Sequence, residues 1–294
     1  MIKSKLTKVY KEALKNTIII NDSSKIIIFS DCHRGTYGWS DDFAHNANIY
    51  YYALNYYYNH GYTHIELGDG DELWENHNFS IIKNAYINIF RLFKKYHKKN
   101  RLYIIWGNHN RIFKNENFIK KNLYTYYNEK HDEYKDLLIN LKTYEGIILK
   151  YKNNNIFLTH GHQGQMINDS IWWIGFFINR FIWKYLQIAG IKDPTSPAQN
   201  FNIRKHIEKK IKEWAVKNNQ VIITGHTHRP VFPKSKEAPY FNTGSCVHPR
   251  CITGIEITGG KICLIKWFTN TKKGGTLFID REEIKSPKLL DNYF

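Results

Sequence analysis

A chain of 294 residues, 42% hydrophobic and 23% charged, can bury a sizeable core, and this balance excludes an intrinsically disordered polypeptide. Its formal charge of +17, from 43 Lys and Arg against 26 acids, suits an anionic partner such as a phosphorylated substrate, nucleic acid or an acidic lipid surface. AT-rich coding, which favours Lys, Asn, Ile and Tyr, produces the same balance, so charge alone selects no partner. Cys32, Cys246, Cys251 and Cys263 show no paired spacing, which argues against a zinc ribbon or a disulfide framework. No run reaches the roughly 20 apolar residues of a membrane span. The lysine-rich start "MIKSKLTKVYKEALKN" lacks the apolar segment of a signal peptide, so the expected location is the cytoplasm.

In chain order, short apolar runs recur: "KIIIFS" at 25–30, "HIEL" at 64–67, "LYIIW" at 102–106, "NIFLT" at 155–159 and "VIIT" at 221–224. Each has the length and β-branched content of a buried strand. Between the first three lie helical periods. Ala47, Tyr50, Tyr51, Leu54, Tyr57 and Tyr58 share one face and stop near Gly61, and Ile82, Ala85, Tyr86, Ile89 and Phe93 share another. Ile207, Ile211, Trp214 and Ala215 predict a further helix leading into "VIIT". Alternating strands and helices imply a layered α/β fold with parallel pairing. After Pro230, "YFNTGS" at 240–245, "CITGIEI" at 251–257 and "KICLIKWF" at 261–268 read as an antiparallel meander. The expectation is a single domain over 1–294, with a helical, aromatic-rich insertion around 165–205.

The residues just past each apolar run carry the chemistry. The runs lead into "DCHRG", "GDGDELWE", "GNHNR", "HGHQG" and "GHTH", placing Asp, Asn or His after each of five strands. Strand ends on one edge of an α/β sheet converge on a crevice. Residues two apart in an extended segment face the same way, so Asp31 with His33, and His226 with His228, can each aim two side chains at one place. Taken together these are metal-ligand positions. Oxygen and imidazole donors without thiolate favour Mn, Fe, Co or Zn over Ca.

The ordered motifs Asp31-x-His33, Gly68-Asp69-x-x-Glu72, Gly107-Asn108-His109, His160-Gly-His162 and Gly225-His226-x-His228 resemble those of the calcineurin-like metallophosphoesterases. Within that superfamily "LGDGDELWEN" and "HGHQG" look most like the bacterial branch that includes UDP-2,3-diacylglucosamine hydrolases. The resemblance implies a four-layer α/β/β/α sandwich of two mixed sheets with flanking helices. It implies two divalent ions, Mn or Fe foremost and Zn or Co as alternatives. Asp31, His33, Asp69 and His228 would hold one ion, and Asp69, Asn108, His160 and His226 the other, with Asp69 bridging. A metal-bridging hydroxide would attack phosphorus in a phosphate ester or pyrophosphate, with His109 as the acid and Glu72 orienting it. Asp71 is the alternative partner for His109. Asn110 departs from the Asp or Glu usual in the family. Arg34, Arg111 and Arg229 come directly after ligand segments and are candidate phosphate clamps, and His162 is open to a substrate or a structural role. Cys32, between two ligands, should face away from the ions.

The implied substrate is a phosphorylated molecule, lipid- or nucleotide-linked. A metal-dependent nuclease and a non-catalytic scaffold are the rival readings; nucleic acid is the less favoured partner because the lysines are dispersed. Finally, "SIWWIGFFINRFIWKYLQ" at 170–187 carries Arg180, Lys184 and Gln187 on one thin stripe of an otherwise apolar helix. It suggests a core helix, a homodimer contact, or a flap touching acyl chains at the membrane surface.

Overall fold

The computed structural model describes residues 2–76, 78–163 and 200–294. Their elements in chain order are helix α1 (Ile2–Ala13), strands β1 (Thr17–Ile20) and β2 (Lys25–Phe29), α2 (Ala47–Asn59), β3 (Thr63–Leu67), α3 (Phe79–Ala85), α4 (Ile87–Lys98) and β4 (Leu102–Ile105). Next come α5 (Glu116–Leu123), β5 (Thr125–Asn128), β6 (Glu133–Asp136), β7 (Thr143–Tyr144), β8 (Gly146–Tyr151), β9 (Asn154–Thr159) and α6 (Phe201–Lys217). The last strands are β10 (Val221–Thr224), β11 (Tyr240–Asn242), β12 (Cys251–Thr258), β13 (Lys261–Thr271) and β14 (Leu277–Leu289).

Two mixed sheets carry the fold, ordered β14-β13-β12-β2-β3-β4-β7 and β1-β8-β9-β10-β11. β2, β3, β4 and β7 pair in parallel, and β12 runs antiparallel to β2. In the second sheet β9, β10 and β11 are parallel, while β8 is antiparallel to β9. The alternation of side chains along each strand sorts them into layers. In β2, Ile26 and Ile28 enter the cluster between the sheets, whereas Ile27 and Phe29 join the cluster that packs under α2 and α4. In β9, Ile156 and Leu158 point between the sheets, while Phe157 packs with Leu6 of α1 and with Ile211 and Trp214 of α6. Three apolar clusters thus define four layers, helices outside and sheets inside, as the sequence motifs imply.

Three expectations change. The helix expected across Ile82–Phe93 is two helices broken at Tyr86, whose backbone is not helical and whose hydroxyl donates to Asp41 at 2.6 Å. Tyr240–Asn242 does not belong to the meander: it pairs parallel with β10, so the antiparallel part begins at β12. The five motif-bearing strands also divide between the sheets, β2, β3 and β4 in one and β9 and β10 in the other. Of the expected insertion around 165–205, only 200–205 is described, where Asn200 caps α6 by accepting from the N–H groups of Asn202 and Ile203. The 170–187 stretch lies outside the described residues. Among those described, no helix is long and apolar enough to cross a membrane.

Candidate metal centre

The C-terminal ends of β2, β3 and β4 meet those of β9 and β10 across the sandwich, so both sheets contribute to one crevice. Beyond the strands the first two loops stay in register: Asp31 N–H donates to Gly68 O, His33 N–H to Asp69 O, and Arg34 N–H to Gly70 O, at 2.8–3.0 Å. Glycine makes the approach possible. A Cβ on Gly68 would run into the His160 ring, and one on Gly107 into the Asp69 carboxylate.

Among the described residues three overlapping groups of donor atoms converge, His33, Asp69 and His109 linking the other two. Asp31, His33 and His228 form one of those two, and Asp69, His160 and His226 the other, each with its ligand atoms within 4.8 Å of one another. The Nε2 atoms of His33 and His228 lie 3.3 Å apart, and His228 Nε2 lies 3.2 Å from Asp31 Oδ1. Asp69 stands between the groups, its Oδ2 2.9 Å from His160 Nε2 and 3.9 Å from His33 Nε2. Its Oδ1 accepts the His109 N–H at 2.8 Å.

The residues fit divalent cations on three counts. Asn108 Oδ1 is buried with no hydrogen-bond partner, an acceptor that costs free energy unless an ion or water completes it. His160 donates from Nδ1 to the Leu67 carbonyl at 3.0 Å, and His33 presents Nδ1 to Glu72 at 2.8 Å. In both, Nε2 is left to face the other donors, the usual way a protein orients a metal-binding imidazole. Asp31, His33, Asp69, His226 and His228 all have φ between 48° and 66°. Such backbone costs about 1–3 kcal/mol per residue and concentrates where a site over-determines it.

The electrostatics arise from burial and crowding. Burial opposes ionisation of Asp31, but the His228 and His160 imidazoles hold it at about 2. Asp69 lies well below the ordinary carboxylate range, burial being outweighed by His160 and His109. His226 falls to about 3 through burial and the neighbouring His160, leaving it neutral and able to ligate.

His109 lies against both groups, with a ring nitrogen within 4.8 Å of ligand atoms of His33 and Asp69. Its Nδ1 meets Glu72 at 2.7 Å, and its ring stacks on Trp74 with centroids 4.2 Å apart. Burial alone would lower His109, but Glu72 and Asp69 raise it to about 9 and so keep it protonated near neutrality. Glu72 therefore serves two histidines, its Oε2 lying 2.8 Å from His33 Nδ1 and 2.7 Å from His109 Nδ1. Trp74 was not singled out by its sequence, and its only clue was its place two residues after Glu72.

The remaining sequence candidates fall elsewhere. Asp71 faces Arg34, with Oδ1 2.8 Å from Nε, and it is Glu72 that reaches His109. Arg34 is fully buried between Glu66 and Asp71, so its expected role as a phosphate clamp is corrected: no nitrogen of its guanidinium faces the crevice. Arg229 is about half exposed and lies 3.5 Å from Glu208 of α6. Arg111 is half-buried, and its charge helps to depress His162. His162 is buried beside His160, His226 and Trp106, and burial with the two imidazoles pushes it well below its ordinary value. Asn110 accepts the Gly107 N–H at 2.7 Å, supporting the loop through the backbone. Cys32 packs into the helix-side core, away from the crevice, as its place between two ligands suggests.

A layered α/β sandwich with Asp, Asn and His donors converging at its strand ends defines a metal-dependent phosphoester hydrolase. The chain belongs to the calcineurin-like phosphoesterase superfamily, whose domain matches residues 25–258. Among solved structures it is similar to Chaetomium thermophilum Vps29, at 10% identity and a TM-score of 0.38 over 89% of this chain and 97% of that one. It is also similar to the cold-active protein-tyrosine phosphatase of a psychrophilic Shewanella sp., at 13% identity and a TM-score of 0.41 over 92% of this chain and 84% of that one. Likeness at this level says nothing of substrate. No curated protein matches the chain.

Proposed function

We propose that the chain hydrolyses a phosphate ester or anhydride with two divalent cations, one held by Asp31, His33, Asp69 and His228 and the other by Asp69, Asn108, His160 and His226. The observation that carries this reading is the buried, unpartnered Asn108 Oδ1, next in the chain to His109, whose N–H reaches Asp69 of the convergent donor groups. Bound there, the cations supply Lewis-acid activation of a water and neutralise charge on the phosphoryl group. The chain's own residues do the rest. Asp69 would bridge the two ions, and its Oδ1 is fixed by the His109 N–H. His109 keeps its proton through Glu72 and offers it to the departing oxygen. Trp74 holds the His109 ring flat and excludes water from one face.

Turnover of an aryl phosphomonoester and an aryl phosphodiester, with Mn2+, Fe2+, Co2+ or Zn2+, tests the reading. Metal-dependent hydrolysis that disappears in Asp69→Asn supports it. Wild-type rates no higher than those of Asp69→Asn with every ion would overturn it. For the substrate, the motifs "LGDGDELWEN" and "HGHQG" support a lipid-linked phosphate of the UDP-diacylglucosamine kind. The aromatic stretch 170–187 supports an acyl-chain or membrane-surface contact. Liposome cosedimentation of wild type against Trp172→Ser/Phe176→Ser measures that part separately.

A further inference from the structure

Arg34 comes directly after a ligand of the proposed centre yet has no access to it. Its guanidinium donates four hydrogen bonds, from Nη1 and Nη2 to Glu66 at 2.6 and 3.0 Å, and from Nε and Nη2 to Asp71 at 2.8 and 3.1 Å. All three side chains are fully buried. The group rests on the rings of Phe90 and Phe93 of α4, 5.3 and 5.4 Å from their centroids. The backbone repeats the connection: Arg34 N–H donates to Gly70 O, and Glu72 N–H donates to Arg34 O, both at 3.0 Å. The network therefore ties the loop of His33 to the loop of Asp69 and Glu72.

Stability is a poor explanation for such a group. A buried ion cluster contributes little that well-packed apolar residues of the same volume would not. What it supplies is geometry, because a planar guanidinium bound edge-on to two carboxylates fixes distance and orientation together. Here the fixed neighbours are His33 on one side and Glu72 on the other, already in contact at 2.8 Å. Through Glu72 the constraint reaches His109 as well.

We infer that Arg34, bracketed by Glu66 and Asp71, is a positioning residue that sets the register of the two ligand loops. It thereby determines metal affinity and the alignment of His109. The inference rests on the metal-centre reading above. Three variants test it: Arg34→Lys, Arg34→Met, and the neutral triple Arg34→Met/Glu66→Gln/Asp71→Asn. Each is measured for Mn2+ affinity by calorimetry, for kcat and KM on an aryl phosphate at saturating Mn2+, and for Tm. Arg34→Lys keeps the charge but loses the fork. It is expected to weaken Mn2+ binding about 10–100-fold and to lower kcat with KM unchanged, the range seen when a partner of a metal ligand is removed. The neutral triple is expected to recover Tm but not Mn2+ affinity.

A raised KM with wild-type Mn2+ affinity would return Arg34 to substrate binding and overturn the inference. So would full recovery of Mn2+ affinity and kcat in the triple, which would make the cluster a matter of stability alone. If wild type binds Mn2+ and all three variants match it, the inference falls while the metal centre stands. If wild type binds no divalent cation, the metal-centre reading falls and takes the inference with it.

Discussion

At the scale of single residues, Glu72 has the most to hold. One carboxylate faces the Nδ1 atoms of both His33 and His109 and also accepts the Trp74 N–H. Burial opposes its charge, but the two imidazoles bring it down to about 2, so it stays ionised throughout the working range. His109→Ala is expected to keep both metals and lose roughly 10²–10⁴-fold in rate, the span typical of a positioned acid. Metal content by elemental analysis, read beside kcat, checks this, and unchanged turnover would leave His109 a structural residue. A second residue-scale prediction concerns the core. His64 is fully buried among Phe29, Phe93 and Tyr96, and burial pushes it down to about 4 from 6.5. As pH falls, the unfolded chain binds this proton first, so stability is lost between about pH 6.5 and pH 4, on the order of 3 kcal/mol in full. Urea midpoints of metal-free wild type should therefore drop more steeply from pH 7 to pH 5 than those of His64→Phe. Parallel curves would remove His64 from the account.

At the scale of elements, β10 and its loop show how a short strand serves two ions. Val221 and Ile223 point between the sheets and Ile222 points to α6, which anchors the strand from both faces. The chain then turns through positive φ at His226 and His228. His226 joins Asp69 and His160, while His228 joins Asp31 and His33. His226→Ala and His228→Ala should therefore lose different ions, which anomalous scattering from crystals of the two variants would show. Loss of the same ion in both would refute the division of ligands. The break between α3 and α4 is the opposite case. Continuous helical spacing did not survive because the Tyr86 hydroxyl reaches Asp41, which also accepts from the Gly35, Tyr37 and Phe43 N–H groups. A tertiary anchor outweighed local periodicity.

At the scale of the whole molecule, the centre joins two sheets that otherwise meet largely through apolar side chains. Asp31 and Asp69 come from one sheet, and His160, His226 and His228 from the other. An ion bound between them crosslinks the sandwich and stabilises the folded state by mass action, by about 2.7 kcal/mol at a hundredfold excess over Kd. Exhaustive chelation should lower Tm, and added Mn2+ should restore it in proportion to log concentration. Asp69→Asn should abolish most of that response because Asp69 stands between both donor groups. A Tm indifferent to Mn2+ in wild type, or two full equivalents of metal in Asp69→Asn, would count against the arrangement.

What the sequence determined by itself were the features written into contiguous residues. Alternating apolar runs specify strands whose two faces must both be buried, and the motif after each run places a donor where the strand ends. That local grammar was enough for the layered α/β class and for Asp, Asn and His as candidate donors at the strand ends, while the division into ligand sets came from the family resemblance. The family resemblance, with its place beside Asn108, singled out His109. The tertiary structure decided whatever depended on partners far away along the chain. Asp71 and Glu72 are neighbours in sequence, yet one turns inward to Arg34 and the other toward His33 and His109. Arg34 resembles a phosphate clamp by position, and only the carboxylates of Glu66 and Asp71, 32 and 37 residues away, make it a buried strut. The parallel place of Tyr240–Asn242 beside β10, and the split of five similar strands between two sheets, were likewise set by pairing. A residue's type and spacing state what it can bind, but its environment, and hence its charge and direction, is supplied by contacts that spacing does not encode.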